Sequence, residues 1–196
     1  MAWGYLPKNP FKEVKKLRTE KKIPRFLSEE EVKNLLANAT GETRLMCLVF
    51  LYTGLRVSEL VHLRWDDIKG GHIHLKSWGS FYLKDHEERK IPVHKTLEKA
   101  LQTAKDRQGL VFPGQDGPRS RHALTRLFQR LYKRAGIKGA TIHTLRHSFA
   151  SHFLMSGGDL AALQKLCGHS HINTTMIYAH LAQAHIEKAI QGLNFK

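Results

Sequence analysis

Apolar residues follow helical spacing over most of the chain and period-two alternation in one central stretch. Ser28 and Glu31 have the spacing of a capping box, with Val32, Leu35 and Leu36 as the apolar stripe of the helix they open and Gly41 as its stop. From Glu42 to Tyr52 the sequence is almost wholly apolar, which predicts a helix buried on most sides and central to the core. Thr53 and Gly54 break it. Ser58 then caps a short helix that turns Leu60, Val61 and Leu63 inward, leaving Arg56 in the turn between two buried helices. An arginine pinned there is either a structural bridge or an aimed cation.

Between residues 72 and 94 the pairs Ile73 and Leu75, Phe81 and Leu83, and Ile91 and Val93 alternate with polar positions, predicting a three-stranded antiparallel sheet. Lys84 ends the second of these strands. Helical stripes return from Thr96 to about Asp106, from Arg121 to Ala135, from Thr144 to Ser156, briefly around Tyr178, and from Ala182 to Leu193. Leu110 to Phe112 reads as a short extended segment. The expected class is mainly α with a small three-stranded antiparallel β-sheet (α+β). Residues 1–26 mix Pro, Gly and Lys without sustained period and read as a basic linker or arm, with 27–196 as the folded domain. Such an arm hints at a further part upstream.

Charge changes the picture. A formal net charge of +15 on 196 residues must sit largely at the surface, where it creates a positive field suited to a polyanion, so nucleic acid is the leading partner class. Cys47 and Cys167 fall within apolar helical patterns without CxxC spacing and read as buried, reduced thiols of a cytoplasmic protein. No run of about 18 apolar residues occurs, so neither a membrane span nor secretion is expected.

Four separated pieces invite a common site: TGLRVSEL around Arg56, the hairpin Lys84, HTLRH with His143 and Arg146, and GHSHINTTMIYAHL with His169 and Tyr178. His143 and Arg146, three apart, share a helix face. Attack on a phosphodiester needs cations on the non-bridging oxygens, a nucleophile, an acceptor for its proton and a donor to the departing oxygen, and this set contains each part. Taken singly, every one of these residues has a structural explanation; together, and in this order, they point to phosphate chemistry. His143 and His147, four apart, also raise a metal pair, but no carboxylate stands between them to make a zinc motif.

These motifs closely resemble the catalytic domain of the tyrosine recombinase, or phage-type integrase, family, from about Phe26 to Leu193. The resemblance implies that family's catalytic-domain fold and a covalent strand exchange on double-stranded DNA without metal, ATP or other cofactor. It implies that Tyr178 attacks the scissile phosphate to leave a 3′-phosphotyrosyl bond, that Arg56 and Arg146 hold the phosphate oxygens, that His143 accepts the nucleophile's proton, and that His169 adds a hydrogen bond. Lys84 would be the general acid for the 5′-oxygen, with Lys76 and Lys90 as the alternative lysines, and Glu59 would orient an Arg or His. A phenol of pKa about 10 is scarcely ionised at neutral pH, so the cationic cluster is expected to favour its phenolate. The linker NPFKEVKK resembles the segment that joins a DNA-clamping domain to this one in longer relatives. The implied assembly is a homo-tetramer on two duplexes, with the isolated domain monomeric. A type IB topoisomerase shares this chemistry, and an inactive or regulatory DNA-binding relative would share the fold.

Overall fold

The computed structural model describes residues 24–79, 81–83, 88–104, 108–185 and 190. The proposed arm up to residue 23, Lys84, and most of the helix expected from Ala182 to Leu193 lie outside the described residues. Helix α1 (Glu29–Asn38) opens on its capping box: Ser28 Oγ accepts from the Glu31 N–H at 3.2 Å, and Glu31 Oε2 accepts from the Ser28 N–H at 3.0 Å. It ends at Ala39 rather than at Gly41, which is instead the first residue of α2 (Gly41–Thr53). Two residues suffice for this turn, so the helices follow each other more tightly than the glycine suggested.

Helix α2 is the centre of the main core, with Met46, Cys47, Val49 and Phe50 all buried. Phe50 meets Phe128 of α5 (Arg121–Arg134) edge-on at 5.8 Å between centroids, while α4 (Lys95–Gln102) and α6 (Ile142–Met155) pack along the other sides. Gly54 closes α2 in the left-handed region, at φ +62°, and an added Cβ there would stand 2.3 Å from Phe149 Cδ1. The chain therefore turns sharply into α3 (Val57–His62). Arg56, not Ser58, is the N-cap of this helix, because the Glu59 carboxylate folds back onto the Arg56 N–H at 2.7 Å.

The sheet has three antiparallel strands in the order β1 (Ile68–Lys69), β2 (His72–Leu75), β3 (Arg89–Pro92), with Ile73 opposite both Ile68 and Ile91. Its membership differs from the expectation. Gly70 and Gly71, at φ +57° and +71°, make a tight hairpin that places residues 68–69 at the edge. Among the described residues the Phe81 and Leu83 segment stays out of the sheet: Trp78 and Phe81 pair in an isolated bridge, the Leu83 N–H donates to Ser77 Oγ, and Phe81 stacks on His62 at 4.2 Å. Leu110 bridges to Arg64, and the Val111 N–H donates to Leu63 O at 2.8 Å, which confirms a short extended segment.

A second, smaller apolar cluster carries the C-terminal part. Phe149, Ala150 and Leu154 of α6 meet Leu163 and Cys167 of α7 (Leu160–Cys167) and Tyr178. After α8 (Ile172–Thr175), a 3₁₀ stretch, Met176–His185, lays Tyr178 on this cluster. At the other end Leu27 is fully buried, with its N–H on Ser148 Oγ and its carbonyl 2.8 Å from His152 Nε2, so the chain is already packed where the arm was expected to finish. Both cysteines are free and buried, and burial pushes the Cys47 thiol up to about 12. Among the described residues no helix is long and apolar enough to cross a membrane.

Candidate active site

Arg56 reaches the site as the N-cap of α3, His143 and Arg146 from the first turns of α6, His169 from the turn after α7, and Tyr178 from the 3₁₀ stretch. All five line one cavity of about 620 Å³, together with Arg119, Arg121 and His147. Lys76 and Lys90 line a different depression, beside His74 and Arg89. Glu59 stands behind the cavity rather than in it.

The floor is a lattice of guanidinium groups tied to backbone carbonyls. Arg146 donates to Gly54 O and, at 2.8 Å, to Cys167 O, while its Nη2 lies 3.0 Å from His169 Nε2. Arg56 donates to Gly168 O and to Glu59 Oε1, the latter at 3.4 Å. The turn 166–168 thus gathers both arginines. His169 is held in turn, with Nδ1 2.9 Å from Thr175 Oγ1 and its carbonyl accepting from Gln164 Nε2.

Glu59 is 2% exposed, and a buried carboxylate of that kind needs partners. Besides Arg56 it accepts from Arg89 Nη2 at 2.8 Å, and Arg89 Nε donates to Leu166 O at 2.9 Å. Burial alone would raise the Glu59 carboxyl, but the hydrogen bond and charge of Arg89, with the Arg56 N–H, outweigh it and hold the group below its ordinary 4.5. Arg89 is a residue that sequence reasoning missed. It sits 30 positions from Glu59 in β3, and only the sheet's true register brings the two together. Gly168, at φ +61°, leaves room for it, since a Cβ there would come within 2.7 Å of Arg89 Nη1.

His143 and His147, the two histidines of α6 that line the cavity, divide. His143 Nε2 lies 2.8 Å from Arg121 Nη2 at the cavity rim, whereas His147 Nδ1 lies 2.5 Å from the Tyr178 hydroxyl. The residue that the nucleophile candidate touches is therefore His147, which the sequence offered only as half of a metal pair. Among the described residues no group of three or more His, Cys, Asp or Glu is arranged to hold a metal ion. Loss of hydration lowers both imidazoles below their ordinary 6.5; Arg121 and Arg146 add to this at His143, and His143 and Arg146 at His147.

Tyr178 is 3% exposed. Burial pushes the phenol up to about 12 and the buried Cys167 thiol adds to the rise; Arg146 favours the phenolate, in the direction expected of the cations, but offsets only part of it.

Residues 25–185 match the model of the phage integrase family. The chain belongs to that family. It is 31% identical to the integrase of Escherichia phage P2 over 186 residues, covering 95% of this chain and 52% of the phage protein. It is 34% identical to tyrosine recombinase XerD of Listeria monocytogenes over 203 residues, covering 94% of this chain and 67% of XerD. Among solved structures the catalytic domain of the bacteriophage HP1 integrase superposes with a TM-score of 0.67 at 31% identity, covering 86% of this chain and 94% of that domain. This integrase-family chain thus spans about half the length of the P2 relative and nearly all of the HP1 catalytic domain, and the tyrosine recombinase catalytic-domain fold expected from the motifs is the fold observed.

Proposed function

We propose that this chain is the catalytic part, over residues 27–196, of a site-specific DNA recombinase that breaks and rejoins double-stranded DNA through a 3′-phosphotyrosyl bond to Tyr178. The observation that carries this reading is the convergence of Arg56, His143, Arg146, His169 and Tyr178, drawn from widely separated stretches, on one cavity. Two guanidinium groups with carbonyl-anchored geometry suit the non-bridging oxygens of a phosphodiester, where planar, multidentate donation is stronger than a lysine's point charge. His143 and His169 add imidazole contacts at the same oxygens. Glu59 and Arg89 stand behind Arg56 and hold it in place.

Lys84, the residue that follows buried Leu83 in the sequence, is assigned the general acid that protonates the 5′-oxygen. The phosphodiester energy is kept in the tyrosyl ester, so rejoining needs no ATP, and the reaction as drawn uses no metal or other cofactor. The partner is duplex DNA inside the cell. The working assembly is a homo-tetramer across two duplexes, with the isolated chain monomeric.

Covalent trapping tests this reading. The chain and its Tyr178→Phe variant are incubated in excess chelator with nicked duplexes from the replicon that encodes it, the nick lying just beyond the scissile phosphate so that the short leaving strand diffuses away. The expected result on a denaturing gel is a protein–DNA adduct from the parent chain and none from the variant. Adducts from both would point to another nucleophile, and adducts from neither, also with the upstream region restored, to an inactive DNA-binding relative. Relaxation of supercoiled DNA without strand exchange would favour the topoisomerase reading.

A further inference from the structure

The nucleophile has a chemical problem that the proposed function leaves open. With its phenol pushed up to about 12 by burial, Tyr178 is scarcely ionised at neutral pH, so attack needs a base that takes the proton as the bond forms. His143, assigned that task by resemblance, directs its Nε2 at Arg121, and a guanidinium can only donate, so the His143 lone pair there is already used. His147 is different. It lies one helical turn further along α6, half-buried, with its Nδ1 2.5 Å from the hydroxyl that must react.

Resting on the recombinase reading, we infer that His147 is the general base of the cleavage step: its Nδ1 accepts the Tyr178 proton during attack and returns it during rejoining. In cleavage the Tyr178 Oη–P bond forms, the P–O5′ bond breaks, the phenol proton moves to His147, and the 5′-oxygen takes a proton from the acid assigned to Lys84. Rejoining is the reverse, so each cycle leaves the protein's protons unchanged. His143 is thereby released for the phosphate and for Arg121.

The groups facing His147 suit this task. On α6 it has His143 and Arg146, and from the 3₁₀ stretch Tyr178; the two cationic or potentially cationic neighbours, together with lost hydration, keep its imidazole neutral and able to accept. A phosphate entering the cavity adds negative charge nearby and favours the imidazolium as it forms. A large gap between the pKa of a hydroxyl and that of its histidine is no obstacle to such concerted transfer, as Ser–His pairs demonstrate.

The test is single-turnover cleavage by the 196-residue chain on the nicked replicon duplexes, with and without sulfur in place of the scissile 5′-oxygen. A thiolate departs without a proton, so the sulfur substrate removes the need for the acid and leaves the need for the base. His147→Asn keeps a hydrogen-bonding oxygen near the hydroxyl but has no basic nitrogen; His147→Gln is the second variant. The expected result is unchanged DNA binding, a rate lowered on the order of 10²–10³-fold on both substrates, and loss of the limb that rises with pH through a histidine range. His143→Asn keeps that limb, and Lys84→Ala recovers on the sulfur substrate.

Rates within roughly threefold of the parent chain, or recovery of His147→Asn on sulfur, would overturn the inference. Should both His147 variants fail to fold by circular dichroism, the parent chain decides it: a cleavage rate on the sulfur substrate that is flat with pH through the histidine range overturns the proposal. If the parent chain forms no adduct at all, also with the upstream region restored, the recombinase reading falls and this inference with it, whereas an adduct with His147 dispensable removes the inference alone.

Discussion

At the scale of single residues, the site rests on one buried carboxylate. Glu59 joins Arg56, which faces the cavity, to Arg89, which does not, and both links are shielded from water. Removing one partner of such a pair leaves a buried charge uncompensated. Glu59→Ala is therefore expected to cost about 3–5 kcal/mol by chemical denaturation and to weaken phosphate binding as Arg56 loses its anchor. A loss under about 1 kcal/mol would mean that the pair is solvated. The histidines give a second prediction. The His143 and His147 imidazoles titrate below 6.5 when folded, so the unfolded chain takes up protons first as pH falls. Their contribution to stability is complete above the unfolded value and is lost as pH falls through the depressed folded values. Denaturation at about pH 7.5 and about pH 5.5 should show a smaller loss for the His143→Gln, His147→Gln double variant than for the parent chain; an equal loss would contradict this.

Elements explain what could and could not be read beforehand. Capping at Ser28, the buried stripe of α2 and the basic α5 are local patterns, and they appear as expected. Ser28→Ala should cost about 1 kcal/mol and leave cleavage by the folded protein unchanged, since the box touches nothing near the cavity. Pairing across distance was less legible. Phe81 and Leu83 alternate like a strand, but alternation does not name a partner, and the glycine pair at 70–71 gave β2 a nearer one. The same limit hid Arg89 from Glu59 and His147 from Tyr178, 31 residues apart: motif spacing identified the candidate reactive groups but not which side chain holds which. Gly54 tests the element that joins core to site, because its carbonyl receives Arg146 and its missing Cβ makes space for Phe149. Gly54→Ala is expected to lose about 1–2 kcal/mol from the left-handed backbone alone and more from displacing Phe149, with cleavage falling further than stability does. Unchanged melting would show that the turn relaxes freely.

Across the whole molecule, charge and chemistry meet along α5. Arg126, Arg130 and Lys133 are exposed on one face of α5, the helix whose first residue, Arg121, reaches the cavity rim. Under the recombinase reading this face meets the DNA backbone, so affinity should fall linearly with salt on logarithmic axes, and the Arg126→Gln, Arg130→Gln double variant should reduce the slope by about 1–2. Binding measured from low to moderate salt checks it, and an unaltered slope would remove α5 from the interface. The claim on which everything else depends is that Tyr178 becomes covalently joined to a DNA 3′ end. It is tested most directly by digesting the trapped adduct with trypsin and nuclease and sequencing the modified peptide by mass spectrometry, with the released strand labelled at its 3′ end. The account predicts a nucleotide 3′-phosphate on Tyr178 and a free 5′-hydroxyl on the released strand; a phosphate carried by any other residue, or joined through a 5′ end, would contradict it.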